Sequence, residues 1–160
     1  MMQLHRAHSQ KLRRGRFSEP NRIYFVTSSC EGRARIFEHS EYAQLLLSQF
    51  RREEHRGDCR SLVAMVMPDH IHWLVQILSG RTLQEIVGSL KGCAAIGINR
   101  LRNKSGRIWQ AGFYDHAVRQ EESLEDIAKY MLDNPVRAGL VSDYRNYPHW
   151  ESIWHSHTTL

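Results

Sequence analysis

The chain has 160 residues, 41% of them hydrophobic, with 22 lysines and arginines against 17 acids and a net charge of +5. That size and apolar content fit one globular domain with its own core and exclude a disordered polyelectrolyte. The longest apolar runs are too short to span a bilayer, and the opening MMQLHRAHSQKLRRGR lacks the apolar stretch of a secretory signal.

The positive balance points to a polyanionic partner without choosing among DNA, RNA and an acidic membrane. Cys30, Cys59 and Cys93 form no CxxC pair, and their odd number argues against a disulfide framework. They read as free thiols, and the expected compartment is the cytoplasm.

Residues 1–21 hold Arg6, Lys11, Arg13, Arg14 and Arg16 with no acid before Glu19, and read as a basic arm. IYFVTSSC (23–30) is β-branched and aromatic, a first strand. Ser40 is a candidate cap for a helix over EYAQLLLSQFRREEH, which ends near Gly57. RSLVAMVM (60–67) and HIHWLVQIL (70–78) are strands joined by the Pro68-Asp69 turn, hence an antiparallel hairpin. LQEIVGSLKGCAAIGINRL (83–101) is a second helix capped by Thr82; its glycines weaken it, and its small residues permit close packing. After the loop NKSGR, IWQAGFYDHAVR (108–119) reads as a last strand, irregular around Gly112. Ser123 caps a third helix over SLEDIAKYMLDN, with Glu125 and Asp126 where the helix dipole favours them. Pro135 stops or kinks that helix. Residues 148–160 read as a C-terminal tail.

The order β-α-β-β-α-β-α predicts an α+β fold. It is a ferredoxin-like split βαβ antiparallel sheet with an added C-terminal helix, free to lie on the sheet's second face. Alternation along 70–77 sends Ile71, Trp73, Val75 and Ile77 to one face and His70, His72, Leu74 and Gln76 to the other. Two imidazoles on one side of a strand can converge on a divalent ion, or stand as half-buried structural histidines. The third helix can bring Tyr130 and Asn134, four residues apart, to the same face. Asn134 is a neutral oxygen donor suited to Mg²⁺ or Mn²⁺, and Tyr130 carries a nucleophilic hydroxyl.

PDHIH on a strand, WQAGFYDH, and KYMLDNPVRAGL at a helix end, in that order, resemble the single-tyrosine transposases of the HUH class, most closely the REP-associated tyrosine transposases (RAYT). The resemblance runs from about Ile23 to Tyr147, so residues 22–147 are expected to form the transposase domain. It implies that His70, His72 and Asn134 hold a divalent metal and that Tyr130 is the nucleophile. Related insertion-sequence transposases often carry glutamine where Asn134 stands. The implied reaction is metal-dependent cleavage and transfer of single-stranded DNA beside REP hairpins (repetitive extragenic palindromes) through a 5′-phosphotyrosine. A nucleoid-associated monomer is implied as well. A hydrolytic metal-dependent nuclease and a non-catalytic hairpin-binding regulator stay open.

For DNA, Lys91, Arg100, Arg102, Lys104 and Arg107 fall in a stretch without an acid. Arg13, Arg14 and Arg16 are further phosphate candidates, as are Arg119 and Arg137, which bracket the tyrosine helix. Tyr114 is a candidate for stacking on unpaired bases. His116 is a proton-transfer candidate or a structural hydrogen-bonder. His155 and His157, spaced like the strand pair, raise the idea of a tail that competes for the metal.

Overall fold

The computed structural model describes residues 18–78 and 80–155. Arg13, Arg14 and Arg16 of the expected arm, and His157 of the expected tail, lie outside those residues.

Five strands, β1 (Ile23–Ser29), β2 (Cys59–Val66), β3 (His70–Ile77), β4 (Tyr114–Ala117) and β5 (Trp150–Ser152), form one antiparallel sheet in the order β4-β1-β3-β2-β5. The first four follow the expected split βαβ order. The β2–β3 hairpin closes through Pro68-Asp69, with the Met67 N–H donating to the His70 carbonyl at 2.8 Å. A bulge between Ser61 and Val63 puts Leu62 and Val63 in the same buried cluster.

Helices α1 (Ser40–His55) and α2 (Leu83–Leu101) cover one face of the sheet. Ile71, Trp73, Val75 and Ile77 are buried there against Leu46, Phe50, Ile86 and Leu90, the face that alternation assigns them. Helix α3 (Leu124–Leu132) covers the second face, where Ile127, Ala128 and Met131 pack with Phe25, Leu74 and Met65. The sheet is thus apolar on both sides, which is why β2 and β3 read as nearly continuous apolar runs.

Thr82 caps α2 through a reciprocal capping box with Glu85, and the Ser123 hydroxyl accepts from the Asp126 N–H at 3.2 Å to cap α3. Other expectations need correction. Ser40 is the first residue of α1 rather than its cap; His39 holds the cap position and makes no side-chain cap bond. The last strand of the split βαβ unit spans 114–117 rather than 108–119. Residues 108–113 pair with the sheet as an isolated Cys30–Trp109 bridge while Ile108 and Trp109 pack into the core, and Gly112 turns the chain with φ 73° just before the strand. The third helix ends at Leu132. Asp133 breaks it, and a single turn α4 (Asn134–Arg137) restarts with Pro135 in its first turn, where a missing N–H costs nothing. The stretch read as a tail supplies β5, with Trp150 1% exposed and paired to Met65 of β2. Aperiodic flanking sequence hid this strand of only three residues.

Candidate functional site

His70 and His72 stand on the second face of β3, the face that also carries α3. Their ring centroids are 4.8 Å apart and the rings are nearly perpendicular, at 81°. Each ring is held at Nδ1. His70 Nδ1 lies 2.7 Å from Asp69 Oδ1, so the imidazole donates to the carboxylate. His72 Nδ1 lies 2.9 Å from the Thr27 hydroxyl, brought opposite it by the β1–β3 register, and its ring stacks on Phe25 at 5.3 Å. The carboxylate can only accept, so His70 carries its proton on Nδ1 and leaves its Nε2 lone pair for a cation, whereas the Thr27 hydroxyl can donate or accept and orients the His72 ring.

The electrostatics agree. Burial pushes His72 down to about 3, helped by the charges of His70, Arg137 and Arg33. Burial also lowers His70, and the Asp69 carboxylate opposes this only in part. Both rings are therefore neutral at physiological pH, the form that binds metals. Burial works to raise Asp69, but its bond to His70 and the charges of His70 and Arg33 outweigh that and hold it below the usual carboxylate range.

Asp69 also takes the Arg33 guanidinium, with Nε donating to Oδ2 at 3.0 Å, while Arg33 Nη1 donates to Ser29 Oγ at 2.9 Å. Arg33 has φ 55°, a left-handed backbone unusual for a residue with a Cβ.

Tyr130, 36% exposed, lies on α3. The Arg137 guanidinium carbon sits 3.8 Å from the centre of its ring. The Arg137 charge is among the lesser causes that lower His72, after burial and His70. Tyr130 and Asn134 do not share an uninterrupted helix, since the break at Asp133 falls between them. Asn134 is half-buried at the start of α4, directly before buried Pro135.

As for fit, the donors expected for a cation are two imidazole nitrogens and the Asn134 amide, which lies at the start of α4. Among the described residues no group of three or more His, Cys, Asp or Glu is placed to hold a metal. The nearest carboxylate is already paired with His70 and Arg33. The set suits a divalent cation that accepts nitrogen and neutral oxygen.

The DNA-contact candidates divide by their surroundings. Arg100, Lys104 and Arg107 are exposed at the end of α2 and in its following loop, and Arg102 donates to Asn99 Oδ1 at 2.8 Å. Lys91 is committed inward: its ammonium donates to the Gln110 and Gly112 carbonyls at 3.0 and 2.6 Å and pins the loop before β4. Tyr114, 39% exposed, pairs with Thr27 across β1 and so stands one strand from His72. Arg119 and Arg137 are exposed at either end of the tyrosine segment. His116 Nε2 lies 3.0 Å from both Glu122 oxygens, a clasp between β4 and the entry to α3 that favours the structural reading. His155 packs its ring against Tyr144 at 6.2 Å.

Sequence reading missed Thr27, Asp69 and Arg33. Asp69 stood beside His70 in PDHIH. Thr27 becomes visible only once the β1–β3 register is known, and Arg33 only once Gly32 and its own backbone turn the loop back on Asp69.

Residues 20–134 match the family model described as "Transposase IS200 like". A Haemophilus influenzae protein described as a REP-associated tyrosine transposase is 24% identical over 137 residues, covering 79% of this chain and 77% of that protein. The fold is similar to that of a REP-associated tyrosine transposase bound to a REP hairpin, with TM-score 0.69 and 20% identity over 84% of this chain and 79% of the other. It is also similar to a transposase structure from Deinococcus radiodurans R1, with TM-score 0.54 and 20% identity over 72% of this chain and 92% of the other.

Proposed function

The chain belongs to the IS200-like transposase family, and from that membership we propose that it cuts and rejoins single-stranded DNA beside REP hairpins with Tyr130 as nucleophile. The observation that supports this reading is Arg137, whose guanidinium lies on the ring of Tyr130, on the helix that covers the histidine face of the sheet. The same face of the sheet carries His70 and His72, which meet Asp69 and Thr27 through Nδ1.

In this reading His70, His72 and Asn134 hold Mg²⁺ or Mn²⁺, which supplies charge stabilisation for the scissile phosphate and the leaving 3′ oxygen. The Tyr130 oxygen forms the new bond to phosphorus and the P–O3′ bond breaks. The products are a 5′-phosphotyrosine and a free 3′-OH, and the phenolic proton leaves to solvent, which the exposed ring can reach. One phosphodiester replaces another, so a later 3′-OH can reverse the step without ATP. Arg137 is placed to hold a phosphate next to the ring. Tyr114, one strand from His72, offers a face on which an unpaired base can stack. Arg100, Lys104 and Arg107 supply exposed positive charge for the hairpin backbone.

The tyrosine helix packs on its own sheet, Met131 with Leu74 and Phe25, which supports a site complete in one chain and a monomer as the active form. Among the described residues no helix is long and apolar enough to cross a membrane.

The test is cleavage of single-stranded hairpin oligonucleotides drawn from the host's repeats, with Mg²⁺, Mn²⁺ or EDTA. Cleavage is expected with metal and absent with EDTA, and His72→Ala is expected to abolish it. Cleavage that survives EDTA or His72→Ala overturns the metal role. Tight binding without cleavage in any metal points instead to a regulatory binder.

A further inference from the structure

Two imidazoles on adjacent same-face positions of a strand are not yet a cation site. Neutral histidine carries one proton, and in water it prefers Nε2. A proton there would block the nitrogen that must face the ion. Something has to drive both protons to Nδ1 and keep the rings turned.

We infer that Arg33 and Asp69 are positioning residues that fix the tautomer and orientation of His70, with Arg33–Asp69–His70 acting as one relay, while Thr27 orients the His72 ring. The inference rests on the metal reading above for its purpose and on geometry for its content. His70 donates from Nδ1 to Asp69 at 2.7 Å, a bond to a carboxylate that cannot be reversed, because an ionised carboxylate only accepts. The other carboxylate oxygen takes Arg33 Nε at 3.0 Å, so Asp69 cannot swing away from the imidazole. Arg33 is itself fixed at a second point by Ser29 Oγ, and Ser29 is paired with His70 across the β1–β3 ladder. The backbone closes the same loop: the Cys30 N–H donates to the Asp69 carbonyl at 2.8 Å, and the Arg33 N–H to the Cys30 carbonyl at 3.0 Å.

Arg33 accepts a left-handed backbone, φ 55°, directly after Gly32 at φ 59°. Local preference would put glycine at both positions. The Arg33 side chain leaves this backbone to land on Asp69 and Ser29.

The two histidines are supported unequally. His70 has a charged acceptor, which raises the basicity of its Nε2. His72 has the neutral Thr27 hydroxyl and the Phe25 face. The relay should therefore matter more to cation affinity than Thr27 does.

The experiment uses the full chain at neutral pH with two readouts. Long-range ¹H–¹⁵N spectra of the metal-free protein give the tautomer of each histidine, and calorimetry with Mn²⁺ gives its affinity. In the wild type His70 is expected to be protonated at Nδ1. Asp69→Ala should move His70 toward the Nε2-protonated form and weaken Mn²⁺ by about 10- to 100-fold, and Asp69→Asn, which keeps an acceptor, should fall between. Arg33→Gly is the informative control for folding. It removes the guanidinium but suits the left-handed backbone, so its melting temperature should not fall, while Mn²⁺ affinity should. The relay is overturned if Asp69→Ala leaves His70 protonated at Nδ1 and Mn²⁺ affinity within about twofold of wild type. It is equally overturned if Arg33→Gly binds Mn²⁺ as wild type does. A wild type with the expected His70 tautomer but no Mn²⁺ binding upholds the relay and contradicts the metal reading instead.

Discussion

Arg137 stands against the candidate nucleophile, Tyr130. Its guanidinium covers one face of Tyr130 at 3.8 Å, an arrangement worth about 0.5–1 kcal/mol when solvent-exposed. So small a contribution means that its removal should spare the fold. Its loss should still be costly to catalysis, because a bidentate donor beside the attacking ring is well placed to orient a phosphate. Arg137→Ala is expected to keep its melting temperature within a degree or two and to slow strand cleavage on the order of 100-fold, with Arg137→Lys in between. Single-turnover cleavage and a thermal melt of the same samples check this. A variant that cuts at the wild-type rate would make the stacked arginine a surface contact only. At this scale the sequence was partly legible. His70 and His72 follow from alternation, and Tyr130 and Arg137 from the KYMLDNPVRAGL resemblance. Thr27 was not legible, because what makes it matter is a pairing with a residue 45 positions away.

At the scale of elements, the glycines of α2 separate into two kinds that sequence alone could not distinguish. A Cβ at Gly88 or Gly92 would meet nothing within 4 Å, whereas one at Gly97 would meet the Leu45 methyls of α1 at 2.8 and 3.2 Å. Only Gly97 serves close helix packing. Gly92→Ala is therefore expected to stabilise the protein by about 0.5–1 kcal/mol through helix propensity. Gly97→Ala should gain less or lose stability, since Leu45 must shift. Urea melts of both variants test this, and equal stabilisation would contradict the packing role of Gly97. The helices and the β2–β3 hairpin were legible because apolar spacing, caps and the Pro-Asp turn all point the same way. The failures lie where those signals are short. β4 keeps four residues because Gly112 turns the chain just before it, and β5 has three residues in a stretch without alternation. The break at Asp133 displaced Pro135 from a helix stop to the first turn of a new helix.

For the whole molecule, the two-sided apolar sheet decides where chemistry can sit. Helices α1 and α2 close one face completely. On the other, α3 buries Leu74 and Met65 but leaves His70 and His72 only half-buried, so the site opens where the helix cover ends. Tyr130 on α3, His70 and His72 on β3, and Tyr114 on β4 come from distant parts of the chain. The sequence carried their identities; the fold aligns Tyr114 and His72 through Thr27 and lays the tyrosine helix over the same face of the sheet. The direct test is a denaturing gel of the protein incubated with Mn²⁺ and a labelled single-stranded hairpin oligonucleotide, comparing wild type with Tyr130→Phe. A covalent protein–DNA adduct in the wild type, lost in Tyr130→Phe together with cleavage, is the predicted result. Cleavage that persists in Tyr130→Phe, with no adduct in either protein, would contradict the tyrosine mechanism and leave water as the attacking group.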